Sequence, residues 1–112
     1  MKIQINSDKN IACDIAHNQW LKETIQSSLL QFKEKITRIE VHLSDENAGK
    51  AGKDDKRCMI EARPEGLQPL AVTGNSETID QAVLDALTKM ENALTSLYGR
   101  KDERVKMDLQ ID

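Results

Sequence analysis

Leu21-Lys22-Glu23-Thr24-Ile25-Gln26-Ser27-Ser28-Leu29-Leu30-Gln31-Phe32-Lys33-Glu34-Lys35-Ile36, followed at once by Thr37-Arg38-Ile39-Glu40-Val41-His42-Leu43, is where the chain changes its period. Leu21, Ile25, Leu29, Phe32 and Ile36 recur at spacings of four, four, three and four, which makes one apolar stripe on a helix. Asn18 stands where a side-chain oxygen can accept a free backbone N–H of the first turn, so the helix is read from there. Ile39, Val41 and Leu43 then alternate with polar residues, the pattern of a strand with one buried face. A strand at residues 2–6, with Ile3 and Ile5 against Gln4, precedes the helix. Strand, helix and strand in this order make the two strands parallel neighbours joined by a crossover.

Downstream the signals stay local. Residues 44–56 hold Asp45, Glu46, Asn47, Gly49, Gly52, Asp54 and Asp55 and almost nothing apolar, which reads as a long mobile connection. A third strand follows over 57–63, with Cys58, Ile60 and Ala62 on one face. Pro64-Glu65-Gly66 reads as a turn, and a fourth strand as 67–73. Pro69 has no N–H to donate, so this strand is an edge or begins after the proline. Gly74-Asn75-Ser76 reads as a break. Ile79, Ala82, Val83, Ala86, Leu87, Met90, Leu94 and Leu97 form the strongest helical stripe of the chain, closed by Gly99 as a C′ residue. The order is β-α-β-β-β-α. With one apolar stripe per helix, both helices cover a single face of a four-stranded sheet, a two-layer α+β sandwich.

Residues 1–101 form a single domain in this reading, and 102–112 a C-terminal tail. The tail alternates Val105, Met107, Leu109 and Ile111 with Lys106, Asp108 and Gln110, the pattern of an extra strand. An unpaired strand seeks an edge, either of its own sheet or of a second copy, and the latter would make a homodimer.

Composition narrows the function. The 112 residues carry 16 basic and 19 acidic side chains, a net charge of −3, so binding through bulk positive charge is disfavoured while a local basic face remains open. Aromatics are 3% of the chain, too few for an aromatic base-stacking platform. No apolar run of about 18 residues encodes a membrane span. No signal-peptide core stands at the N-terminus, and two well-separated cysteines fit a reducing compartment, so the expected location is the cytoplasm.

The combination of Leu21-Lys22-Glu23 through Phe32, Ile36-Thr37-Arg38-Ile39, and Ala82-Val83 with Lys89-Met90 and Leu94 resembles the bacterial ribosome-hibernation family. This family comprises the hibernation-promoting factors and ribosome-associated inhibitors, also called ribosomal subunit interface proteins. The resemblance covers about residues 1–101. It implies a fold like a double-stranded-RNA-binding domain with an extra first strand, and binding in the decoding channel of the small ribosomal subunit, against 16S rRNA. Lys22, Arg38 and Lys89 fall where the family is basic. Ser28, Gln31, Asn92 and Ser96 stand where it usually adds basic residues, and residues 79–98 hold one base, Lys89, against Asp80, Asp85 and Glu91.

Candidate RNA contacts are therefore Lys22, Lys33, Lys35, Arg38, Lys89, Arg100 and Lys101, each able to release counterions from a phosphate. A charge run interleaved with Glu23 and Glu34 is otherwise a solvated helix face. Cys13, His17 and Cys58 lack the paired spacing of a metal site, and a strand Cys beside Ile60 acts as a small hydrophobe. The Gly49–Lys56 stretch lacks the Ser or Thr of a phosphate loop. His42 has no nucleophile spaced beside it, so no catalytic role and no cofactor is expected. The sheet face turned from the helices, with Gln4, Glu40, His42, Met59, Glu61, Arg63, Ala71 and Thr73, is polar enough for water or a modest partner surface. Two functions compete: a translation inhibitor that occludes the decoding channel, and a divergent relative that acts as a protein-interaction or dimerisation module without strong RNA binding.

Overall fold

The computed structural model describes residues 1–8, 15–45 and 56–111, with Ile15 and residues 99–111 described by backbone alone. The elements are β1 (Lys2–Ser7), α1 (Ile15–Ser28), a 3-10 turn (Leu30–Phe32), β2 (Ile36–Asp45), β3 (Lys56–Pro64), β4 (Leu70–Ser76) and α2 (Ile79–Ile111). The sheet order is β1-β2-β3-β4. β1 runs parallel to β2, and β2/β3 and β3/β4 are antiparallel. The expected α+β architecture is present.

Alternation puts Ile39, Val41 and Leu43 of β2 and Cys58, Ile60 and Ala62 of β3 under the helices, all of them buried. Leu21 and Ile25 of α1 and Leu29 just after it meet them, with Ala82, Val83, Ala86, Leu87, Met90 and Leu94 of α2 beside them. β1 contributes the half-buried Ile3 and Ile5 at the margin of this core.

Several boundaries differ from the sequence reading. α1 begins at Ile15, so Asn18 lies inside the helix and is not its cap. It also ends earlier than its apolar stripe. The Phe32 N–H donates to the Leu29 carbonyl and the Lys35 N–H to that of Phe32, tight i→i−3 turns that carry the chain into β2. Phe32 and Ile36 are buried all the same, since a 3-10 turn and the start of a strand can fill the same core as a helix would. β2 and β3 reach Asp45 and Lys56, whose side chains pair at 3.2 Å, so only residues 46–55 of the expected connection remain, and these lie outside the described residues.

β4 starts directly after Pro69, lies at a sheet edge, and runs on through Gly74, Asn75 and Ser76. Gly74 is therefore no breaker. An added Cβ there would collide with the Ala82 carbonyl oxygen and lie 2.6 Å from the Ala86 nitrogen, so the missing side chain is what lets α2 lie against the strand. Thr78 begins α2, its Oγ1 accepting from the Gln81 N–H at 3.2 Å.

The tail overturns a further expectation. α2 continues through Gly99 to Ile111, so the tail is helix rather than an extra strand, and the homodimer built on that strand has no basis. A formed helix is extended at little cost, one glycine opposes it by only about 1 kcal/mol, and residues 100–111 contain no proline and many good helix formers. A lone edge strand would have needed a partner for its backbone groups.

Candidate nucleic-acid interface

The basic residues sort by the element that carries each. On β1 the period of two turns Lys2, Gln4 and Asn6 to the open face of the sheet and Ile3 and Ile5 toward the helices. α1 sets Leu21 and Ile25 onto the sheet. That choice brings Asn18 and Lys22 to the side of the helix that overhangs β1. Lys2, Ile3, Gln4, Ile5, Asn18 and Lys22 line one open groove there. A second groove, lined by Met1, Gln26, Ser27, Leu30, Lys33 and Glu34, continues along the same flank. Lys22 and Lys33 thus share the β1 flank with Lys2, a residue the sequence reading did not single out.

Arg38 comes close to this flank from the open sheet face, where Lys2 is its cross-strand partner. Its Nη2 donates to Gln4 Oε1, and its Nε faces Glu40 Oε2 at 3.5 Å. Glu40 also receives Arg63 Nη2 at 3.2 Å, and Arg63 Nε donates to Glu61 Oε1 at 3.1 Å. Glu40 and Glu61 stand directly opposite each other on β2 and β3. Two like charges so placed repel, and the two arginines offset that repulsion. His42 Nε2 lies 3.9 Å from Glu40 Oε1 on the same face. Arg63, placed by the sequence on this open face but not among the RNA contacts, thus serves the same network as Arg38. The cross-strand register that reveals it could not be drawn before the sheet order was known.

The other basic candidates lie elsewhere. Lys35 Nζ sits 4.6 Å from the centroid of the Tyr98 ring, a cation–π contact beside the stacked Phe32–Tyr98 pair. Burial, and then the nearby Glu65 carboxylate, push the Tyr98 hydroxyl above its ordinary range. Lys89 is on the far flank, its Nζ donating to the Thr73 carbonyl of β4 at 2.8 Å and pairing with Asp85 at 3.4 Å. Arg100 and Lys101 lie on the helical backbone, with side chains outside the described residues.

Cys13 is outside the described residues, His17 bonds Asp80 at 2.6 Å, and Cys58 is buried under the helices. Burial pushes the Cys58 thiol up to about 12, which keeps it protonated and inert near neutrality. Among the described residues no group of three or more His, Cys, Asp or Glu could hold a metal ion. None of the described helices is long and apolar enough to cross a membrane. What the β1 flank offers is electrostatic and shape-based contact with a polyanion: lysines along two grooves and amides beside them.

The family model described as Sigma 54 modulation protein / S30EA ribosomal protein matches residues 7–102. Among solved structures, the chain is similar to the N-terminal domain of Protein Y from Thermus thermophilus, at 19% identity and a TM-score of 0.67, over 87% of this chain and 99% of that one. It is also similar to a ribosomal subunit interface protein from Coxiella burnetii, at 16% identity and a TM-score of 0.70, over 88% of this chain and 99% of that one. At such identities the likeness is one of fold. No curated protein sequence gives a significant match.

Proposed function

The chain belongs to the Sigma 54 modulation protein / S30EA ribosomal protein family, the ribosome hibernation-promoting factors, and from that premise we propose that it binds the small ribosomal subunit and occludes the decoding channel. The observation that carries this reading is the family match across residues 7–102, from the end of β1 into α2. The action is steric. A rigid sandwich sits where messenger and transfer RNA would pass, and no bond is made or broken. Lys22 and Lys33, joined by Lys2 and flanked by Arg38, meet rRNA phosphates along the β1 flank. Lys35, Arg100 and Lys101 add positive charge from other sides, while Lys89 is engaged by the Thr73 carbonyl and Asp85. The compartment that goes with this function is the cytoplasm.

One observation favours the second reading, a protein-interaction module without strong RNA binding. The two lysines of α1 and of residues 79–98, Lys22 and Lys89, both lie at the flanks of the helix layer, so its outer surface carries neither. Ser28, Gln31, Asn92 and Ser96 add no charge.

Pelleting through sucrose with purified 30S subunits and 70S ribosomes separates the two. Channel occlusion predicts that the protein pellets with both, and that binding falls steeply between about 50 mM and about 200 mM salt as phosphate contacts are screened. Failure to pellet with either particle at low salt would contradict ribosome binding. Binding that ignores salt would favour the module.

A further inference from the structure

We infer that the outer crest of the helix layer, around Trp20 and Leu84, docks a lysine- or arginine-rich segment of a ribosomal protein and does not face RNA; this rests on the ribosome-binding reading above. Trp20 and Leu84 are 38% and 40% exposed, large apolar side chains on different helices. The two helices are tied at their starts by His17 Nε2 and Asp80 Oδ1 at 2.6 Å. Trp20 stands one turn on from His17, and Leu84 one turn on from Asp80, so the tie brings the two apolar residues onto one crest. The Trp20 ring also stacks on that of His17, with centroids 6.0 Å apart and planes 22° from parallel. Its position is set before any partner arrives, which lowers the ordering cost of binding.

The charge around this pair is negative. Glu23 is three residues on from Trp20 and exposed, Glu91 is seven on from Leu84 on the same face, and Asp80 is exposed beside His17. The lysines of α1 and of residues 79–98 point away: Lys22 lines the groove over β1, and Lys89 is held at Thr73 of β4. A phosphate backbone would meet like charge here, with no compensating base among the described side chains of the crest. A basic peptide carrying an apolar side chain would find both an anchor and complementary carboxylates, and exposed tryptophan is among the residues on which binding energy concentrates. The β1 flank would then hold RNA while the crest holds protein.

The test places the photo-crosslinker p-benzoylphenylalanine at position 20, and separately at position 84, in the full chain bound to purified 70S ribosomes. Each variant is first checked for an unchanged melt, and either position suffices. The expected result is a crosslink to a Lys/Arg-rich segment of a ribosomal protein, with a yield that falls about tenfold when Glu23→Lys and Glu91→Lys are added. Crosslinks to rRNA, or a tighter complex on adding those two lysines, would mean that RNA faces the crest and would overturn the inference. So would pelleting with the ribosome without a protein crosslink from either position. Loss of pelleting by the wild-type chain would instead overturn the ribosome reading itself, and this inference with it.

Discussion

Along β4 the chain closes the edge of its sheet, whereas along β1 it leaves a groove. The β4 strand starts after a proline, takes α2 against its backbone at Gly74, and has its Thr73 carbonyl bonded by Lys89. Such devices block the addition of a further strand. On the other side, α1 lies over β1 with the half-buried Met1, Ile3 and Ile5 at the margin of the core, and Lys2, Asn18 and Lys22 line the gap. Lys22 and Lys89 look alike in the sequence, each a lysine beside an apolar helix stripe. One lines a groove open to a ligand, and the other holds the fold's own backbone. A basic residue on a helix is thus not by itself a binding residue. The element it overhangs decides its task.

If the α2 side is the packed one, truncations should differ sharply across the sheet. Leu87→Ala, at a buried position of α2, is expected to lower stability by roughly 2–5 kcal/mol, because it leaves a cavity. Ile3→Ala on the β1 side should cost on the order of 1–2 kcal/mol, since that side chain is only partly buried. Urea melts give both values, and equal losses would erase the distinction between the two sides. Gly74→Ala should be nearly as damaging as the cavity, on the order of 3 kcal/mol, because the atoms it meets are backbone and cannot swing away. A near-neutral result would show that α2 does not approach β4 so closely.

A smaller effect follows from Cys58, under the middle of the sheet. Its thiol is pushed up from 9.0 to about 12 by burial. Between those values the unfolded chain releases the proton and the folded chain keeps it, so stability is undiminished below about pH 9 and declines as pH rises toward 12. Replacing Cys58 with Ala should flatten the alkaline part of the stability profile. Peptide mapping after iodoacetamide treatment at pH 8 should find Cys58 unmodified in the native protein and modified in urea. Rapid native labelling would contradict its burial.

The sheet was largely legible because its strands alternate cleanly: Ile39, Val41 and Leu43 against Arg38, Glu40 and His42 admit one reading. The helix stripes were equally plain, but their ends were not. Phe32 and Ile36 keep helical spacing while the chain passes through a 3-10 turn into β2, since burial constrains side chains and not the winding of the backbone. Gly74 looked like punctuation because the demand for a missing side chain comes from α2, distant in sequence. Period two at Val105, Met107, Leu109 and Ile111 suggested a strand, yet a helix already under way offers the backbone its bonds without a partner. For the site, residue types were legible and sides were not. Lys2 gained meaning only from the cross-strand register, Arg63 was placed on its face by alternation but paired only by that register, and Lys35 gained its contact only from Tyr98 beside it.

The contrast between the two lysines puts the central claim at risk in one comparison: pelleting with 30S subunits across a salt series, for a chain carrying Lys2→Glu, Lys22→Glu and Lys33→Glu and for one carrying Lys89→Gln alone. If the β1 flank meets rRNA, the triple reversal should lower the bound fraction at every salt concentration and make the slope of log K against log salt shallower by about three, close to one unit per lost contact. Lys89→Gln should keep the wild-type slope, with only a modest loss of thermal stability. Unchanged binding by the triple variant, or a flattened slope with Lys89→Gln alone, would contradict the assignment of the β1 flank as the RNA-binding side.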